Sequence, residues 1–324
     1  MRQIVFTVAT SSYLGQAKTL GDSVIQHNPD TEFVIGLVDK LDVSLCPLPL
    51  PPYKIIQLEE LNIPDLSEFL ERYSLWEFCC NVKPFFAEHI AEKLGPEKLV
   101  YFDSDIIVLD SISGIFETLD RSSITLTPHS VEHINAVRDM NMIRVGLYNA
   151  GFFALKPDGN SLAFLRWWKE KCLNHARKDV SNGMYVDQLW LNLAPIFFEV
   201  NQERSNGQNV GMWNLHGQMI SIHDGRFLIN GTDPLVFFHY SGFKVIDLEN
   251  DRFEYPIDRD DITPVLKLIA ERNSANRSDD FKKVPNHYYS VPFKDGLPKS
   301  VRTLSSRILH SAIYRMQMML RRIE

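Results

Sequence analysis

The sequence predicts an α/β fold with a mostly parallel, doubly wound sheet flanked by helices and followed by a C-terminal helical extension. Three observations predict it. Short apolar β-prone runs alternate with helical patterns through the first hundred residues. The run Leu99–Phe102 carries no polar alternation, as expected of a strand buried on both faces. Two carboxylates, Asp103 and Asp105, follow that run directly, where a doubly wound sheet gathers its ligands.

In chain order, Ile4–Ala9 reads as a strand. Thr10–Tyr13 is a turn, and Leu14, Ala17, Leu20, Val24 and Ile25 mark a helix. Strands are expected at 32–38 and 53–58, the second beyond a proline-rich connection at 47–52. Helices are expected near 66–80 and 84–94, with Pro84 suited to a first turn and Gly95-Pro96 to a stop. Further strands fall at 124–127 and 152–155, and helices at 163–172, with Trp167 and Trp168 in the core, and 186–192. The stretch 201–217 reads as loops and short strands around an acceptor site. A buried strand from Leu235 ends in His239, with Gly242 and Lys244 just beyond.

The 324 residues are 44% hydrophobic, enough for a substantial core, and carry a net charge of -7, which gives no support to nucleic-acid binding. Cys46, Cys79, Cys80 and Cys172 show neither C-x-x-C nor zinc spacing, so reduced thiols in a cytoplasmic setting are expected. The N-terminal apolar run is too short for a signal peptide, and no stretch reaches the roughly 18 apolar residues of a membrane span. No internal repeat and no Walker loop is present, which weakens a kinase or ATPase reading.

Two domains are expected, 1–255 and a C-terminal extension 256–324. From Lys299 onward six basic residues face one acid, +5, leaving -12 for the remainder, and Val301, Leu304, Ile308, Ala312, Met316, Met319 and Ile323 line one helical face. Such a helix can lie on an anionic membrane surface as a peripheral anchor, or pack on its own domain or on a second subunit as a homodimer contact.

Burying Asp103 and Asp105 together costs several kcal/mol each unless a cation neutralises them. Carboxylate oxygens suit Mg2+ or Mn2+, which in turn suit a nucleotide diphosphate, and the His239 imidazole could complete the set. The competing reading is an edge turn with both acids in water. Asp258-Arg-Asp260, a second D-x-D match in a polar, proline-flanked stretch, reads as a solvated loop.

Taken in order, Val8-Ala-Thr-Ser-Ser-Tyr13, Lys83-Pro84, Tyr101-Phe-Asp-Ser-Asp105, Tyr148-Asn-Ala-Gly151, Val186-Asp-Gln188 and His239-Tyr-Ser-Gly242 resemble the metal-dependent nucleotide-sugar glycosyltransferases of the GT-A fold, family 8 in particular. The resemblance covers roughly residues 1–245. Glu77–Pro84, Val186–Trp190, Asn209–His216 and Phe238–Phe243 look like a bacterial group of such enzymes. The resemblance implies Asp103, Asp105 and His239 as metal ligands. It sets Val8, Ala9, Thr10 and Tyr13 against uracil and ribose, with the tyrosine ring on the base, and includes Ser104 in the donor set. Lys83 stands where the family usually has an arginine that touches the donor. Asn149, Ala150 and Gly151 are set beside the donor sugar, Asp187 and Gln188 at its hydroxyls and anomeric carbon, and Gly242 and Lys244 at phosphate. Two positions depart from the family pattern: Leu189 replaces a second acid, and Lys244 arrives early, followed by Val245 rather than Pro-Trp.

The implied function is retaining transfer of a hexose, glucose or galactose, from a UDP-sugar to a hydroxyl of a saccharide, lipid-linked saccharide or protein. The rivals are a sugar-nucleotide nucleotidyltransferase, whose glycine-rich triphosphate loop is absent, and a carbohydrate-binding protein without turnover.

Overall fold

A computed structural model describes residues 2–290, and the basic amphipathic segment from Lys299 lies outside the described residues. The chain opens with β1 (Gln3–Ala9), α1 (Leu14–His27), β2 (Glu32–Leu37) and β3 (Lys54–Gln57). The helical stretch near 66–80 is two helices, because Ser74 caps the second, α2 (Leu75–Asn81). Its hydroxyl accepts the Glu77 amide while the Glu77 carboxylate reaches back to the Ser74 N–H, which stops the preceding Leu66–Arg72 helix. Then come α3 (Lys83–Lys93), β4 (Lys98–Phe102), β5 (Ile106–Val108), β6 (Ile124–Pro128), β7 (Tyr148–Leu155), α4 (Gly159–His175), α5 (Val186–Trp190), β8 (Asn201–Gln202), β9 (Phe237–His239) and α6 (Thr263–Ala275).

The main sheet runs β8-β6-β7-β4-β1-β2-β3. Every neighbouring pair is parallel except those made by β7, which runs against both β4 and β6. The chain adds strands outward from β1 to β3, then returns to place β4 on the other side of β1, so the winding reverses between β1 and β4. Side chains that alternate along each strand feed two cores. Ile4, Phe6, Tyr101, Phe153 and Trp168 belong to one, and Val5, Ile35, Val100, Phe102 and Phe152 to the other. The strand expected at 152–155 starts four residues earlier, at Tyr148, and is buried throughout.

A third core forms where β9 pairs antiparallel with β5, and Val210, Tyr240, Tyr255 and Ile269 close it. Residues after 255 pack on the sheet domain: Asn276 donates to Asp22 of α1, Asn286 to the Val38 carbonyl, and the Tyr289 hydroxyl to the Leu70 carbonyl. Asp258 and Asp260 are exposed, as the loop reading expects. Among the described residues the four cysteines are free, and no helix is long and apolar enough to cross a membrane.

Candidate active site

Two ladders bring three ligand-type side chains together. At the end of β4 the chain leaves the sheet through Asp103, whose N–H donates to the Gly151 carbonyl at 2.8 Å, and turns so that the Ile106 N–H meets the Asp103 carbonyl at 3.1 Å. The β5–β9 register then sets His239 opposite Ile106, and the Tyr240 N–H bonds the Asp105 carbonyl at 2.9 Å. The result is a cluster of Asp103, Asp105 and His239 whose ligand atoms lie within 4.8 Å of one another. His239 Nε2 is 3.0 Å from an Asp105 oxygen and 4.0 Å from Asp103. The acids do sit at a turn and are about 30% exposed, but on their inner side they face a buried imidazole rather than water alone.

Lys83, at the start of α3, is buried, with Nζ 3.0 Å from Asp103, 3.6 Å from Asp187 and 3.2 Å from the Ala150 carbonyl. Burial pulls its pKa down, but the two carboxylates outweigh this and leave it raised, so the ammonium is permanently charged. Asp103 also accepts the Tyr101 hydroxyl. Burial pushes Asp105 toward the neutral acid, yet His239 and Lys83 prevail and hold it below the usual carboxylate range. Three carboxylates against one ammonium give these four side chains a formal charge of -2, His239 left aside. The donor set, two oxygens and one nitrogen with the aspartates about 30% exposed on one side, fits a divalent Mn2+ or Mg2+ that retains open positions.

Asp187 is only 1% exposed, and burial raises its carboxyl to about 6 despite Lys83. It is aimed by backbone under strain: Val186, a β-branched residue, has φ +40° and is held by its N–H on the Arg177 carbonyl, while Trp168 Nε1 donates to the Asp187 carbonyl at 3.1 Å. Because the folded carboxyl lies above its unfolded value of 3.8, folding favours the protonated form. The metal-free protein is therefore expected to lose stability as pH rises from about 4 through 6, by on the order of 3 kcal/mol for this group. Asp187→Asn should remove that slope. Urea unfolding of both proteins at pH 4 and pH 7 checks it, and an unchanged difference between them at the two pH values would refute the assignment.

Gln188 is tethered, its Nε2 on the Val145 carbonyl at 2.7 Å and its Oε1 toward the Ala150 N–H at 3.5 Å. Gly151 has its own reason to lack a side chain: a Cβ there would lie 2.4 Å from His239 Cε1. Gly151→Ala is accordingly expected to push the imidazole off the cluster, weakening Mn2+ binding at least about tenfold and destabilising the fold by about 1–3 kcal/mol. Mn2+ titration by electron paramagnetic resonance together with thermal melts would detect both, and a variant that binds like the parent would show that the ring has room to spare.

The remaining predicted residues are more scattered. Val8 and Ala9 end β1 and are buried, Thr10 bonds Ser12, and the Tyr13 ring is 46% exposed at the same sheet edge. The Ser104 carbonyl receives the Tyr240 hydroxyl at 3.5 Å. Gly242 has φ +82° in a turn closed by the Phe243 N–H on the Tyr240 carbonyl, a demand of the backbone itself. Lys244 is exposed on a hairpin and pairs with Glu254 at 2.8 Å, not with the aspartates.

Residues that sequence reasoning did not single out support the cluster. Asn209, fully buried at φ +51°, takes His239 Nδ1 at 3.3 Å, and Trp213 stands edge-on to the same ring with centroids 4.8 Å apart. His129, a lone histidine after β6, lies behind them. Asn209 and Trp213 fall inside a segment recognised only by resemblance, and His129 carries no motif at all. Beside the end of β6 a pocket is lined by Thr127, Glu132, Glu203, Gln208, His216 and Gln218. Gln208 Oε1, His216 Nε2 and Gln218 Oε1 are buried there without a hydrogen-bond partner.

Set beside known proteins, the chain matches no family model. It is 28% identical over 276 residues to "Uncharacterized protein YfnF" of Bacillus subtilis (strain 168), covering 82% of this chain and 89% of that one. It is 26% identical over 246 residues to "Uncharacterized protein YfnD" of the same organism, covering 74% and 78%. Among solved structures, it superposes on galactosyltransferase LgtC in complex with donor and acceptor sugar analogues with a TM-score of 0.51 at 17% identity, over 84% of this chain and 96% of that one. It also matches the glycosyltransferase GlyE of Streptococcus pneumoniae TIGR4 with a TM-score of 0.48 at 16% identity, over 91% of this chain and 67% of that one. The fold is that of the GT-A glycosyltransferases, a mixed α/β body with a mostly parallel central sheet.

Proposed function

We propose that this chain is a divalent-metal-dependent, retaining glycosyltransferase of the family 8 type that moves a hexose, glucose or galactose, from a UDP-sugar to a hydroxyl acceptor. The observation that carries the reading is the Asp103–Asp105–His239 cluster, with Lys83 and Asp187 behind it, at the point where the sheet winding reverses. A bound Mn2+ or Mg2+ would supply Lewis-acid charge to the leaving diphosphate.

The chain's own residues do the rest. Val8, Ala9 and Thr10 form the floor for uracil and ribose, and the exposed Tyr13 ring offers a face for the base. Lys83 holds Asp103 and Asp187 apart at fixed positions, a preorganised arrangement that costs nothing at the moment of reaction. The resemblance assigns Asp187 to a sugar hydroxyl or the anomeric carbon, and in this chain the residue lies buried behind Lys83. Gln188, bound through Nε2 to Val145, serves to position rather than attack. Lys244 would have to leave Glu254 to reach phosphate, and breaking that exposed pair costs under about 1 kcal/mol.

The acceptor, a saccharide, lipid-linked saccharide or protein hydroxyl, is assigned to the polar surface beside β6 formed by Thr127, Glu132, Glu203 and Gln208. The proposed setting is the cytoplasm, with the basic C-terminal segment on the inner membrane face or in a homodimer contact. Isothermal titration of UDP with and without Mn2+, followed by hydrolysis of a panel of nucleotide sugars, tests the reading. UDP should bind tightly only with Mn2+, and one UDP-hexose should be turned over. Affinity for UDP that ignores Mn2+ would overturn it.

A further inference from the structure

Behind His239 runs an unbroken chain of buried hydrogen bonds. His239 Nδ1 meets Asn209 Oδ1 at 3.3 Å, Asn209 Nδ2 meets Asn149 Oδ1 at 3.2 Å, and Asn149 Nδ2 meets His129 Nε2 at 3.3 Å. The chain is anchored by two backbone groups whose roles cannot reverse. The Gly151 N–H, which only donates, reaches Asn149 Oδ1 at 3.0 Å, and the Gly146 carbonyl, which only accepts, takes His129 Nδ1 at 2.9 Å.

These ends set every direction between them. Asn149 Oδ1 is an acceptor, so the Asn209 atom facing it is the amide nitrogen. Asn209 Oδ1 is thereby turned to His239, and Nδ1 of that ring must carry the proton. At the far end His129 gives its Nδ1–H to Gly146 and keeps a lone pair on Nε2 for Asn149. All four residues are buried, and the Trp213 ring stands edge-on to both imidazoles, at 4.8 Å from His239 and 5.7 Å from His129.

We infer that Asn209, Asn149 and His129 are positioning residues that hold a proton on His239 Nδ1, so that Nε2, which lies 3.0 Å from an Asp105 oxygen, is the ring nitrogen aimed between Asp103 and Asp105 and the one that would take the ion. The inference rests on the metal-site reading above. It gives His129, which has no contact with the cluster, a role in ion affinity, and it occupies the Asn149 amide with work other than the donor sugar. Second partners of ligating histidines typically change metal affinity 10–100-fold.

The test is Mn2+ binding to the full chain in the presence of UDP, followed by electron paramagnetic resonance, for the parent, Asn209→Gly, His129→Phe and the double variant. Glycine suits the φ of +51° at position 209, and phenylalanine keeps the ring volume against Trp213. Asn209→Gly should weaken Mn2+ about tenfold or more. His129→Phe should weaken it several-fold from a distance, and the double variant should be no weaker than Asn209→Gly alone, since both cut one chain. In a turnover assay the Mn2+ concentration for half-maximal rate should rise while kcat at saturating Mn2+ is kept. Parent-like affinity in His129→Phe, or effects that simply multiply, would overturn the relay even if Asn209→Gly fails to fold. A parent that binds no Mn2+ would instead overturn the metal reading beneath it.

Discussion

Asp105→Ala is expected to lower UDP-sugar hydrolysis and transfer by about 10³-fold, equivalent to about 4 kcal/mol of lost charge stabilisation at the leaving diphosphate. The loss should come without unfolding. In the metal-free protein Asp105 is one of the three carboxylates that set the group at -2, so its removal leaves -1 and loses one 3.0 Å contact with His239, and the metal-free variant should still melt cooperatively as a folded protein. The parent, by contrast, should gain stability from Mn2+ and UDP, about 2.7 kcal/mol at a hundredfold excess over Kd, and the variant should gain almost none. Melts with and without Mn2+, run beside the turnover assay, separate these effects. Near-full turnover at saturating Mn2+ would remove Asp105 from the site.

Lys83→Met reverses the pattern and strikes the fold itself. Its side chain is 6% exposed and its ammonium lies between two carboxylates, so methionine of similar length leaves Asp103 and Asp187 without their cation. Removing one partner of a buried ionic group costs about 3–5 kcal/mol. Chemical unfolding at pH 7 should show that loss in the metal-free protein. The deficit should shrink as pH falls from 7, because Asp187, which burial already raises to about 6 and which in the variant no longer has Lys83 to lower it, protonates and stops needing a counter-charge. Lys83→Arg, which keeps the charge, should retain most of the stability. A Lys83→Met protein as stable as the parent at pH 7 would mean that water reaches the two acids and that the group is not a low-dielectric one.

Much of this site was legible in the linear chain. Asp103 and Asp105 stood out because an apolar strand delivers them, and His239 because it ends another such run. Burying charge is costly enough that the pattern itself is a signal. For Lys83 the resemblance implies a donor contact, and its distances add ties to Asp103, Asp187 and the Ala150 carbonyl that the linear chain does not show. For Gly151 the resemblance implies a place beside the donor sugar, and the structure adds that a Cβ there would meet the His239 ring. The work of Asn209 and the very presence of His129 at the site leave no mark in the sequence, because a buried amide or a lone histidine follows no spacing rule. Their work depends on partners 20 to 60 residues away in the chain.

By itself, the order of apolar runs and helical stretches determined the doubly wound sheet and which acids lie at a strand end, because burial periodicity and the cost of a buried carboxylate act locally along the chain. Only the tertiary structure decided that β5 and β9 pair in the register that brings His239 to Asp105, that Lys83 closes the charge group, and that an amide chain orients the imidazole. Those are distance-dependent interactions between residues remote in sequence, and electrostatic and hydrogen-bond energies exist only once packing has set the distances.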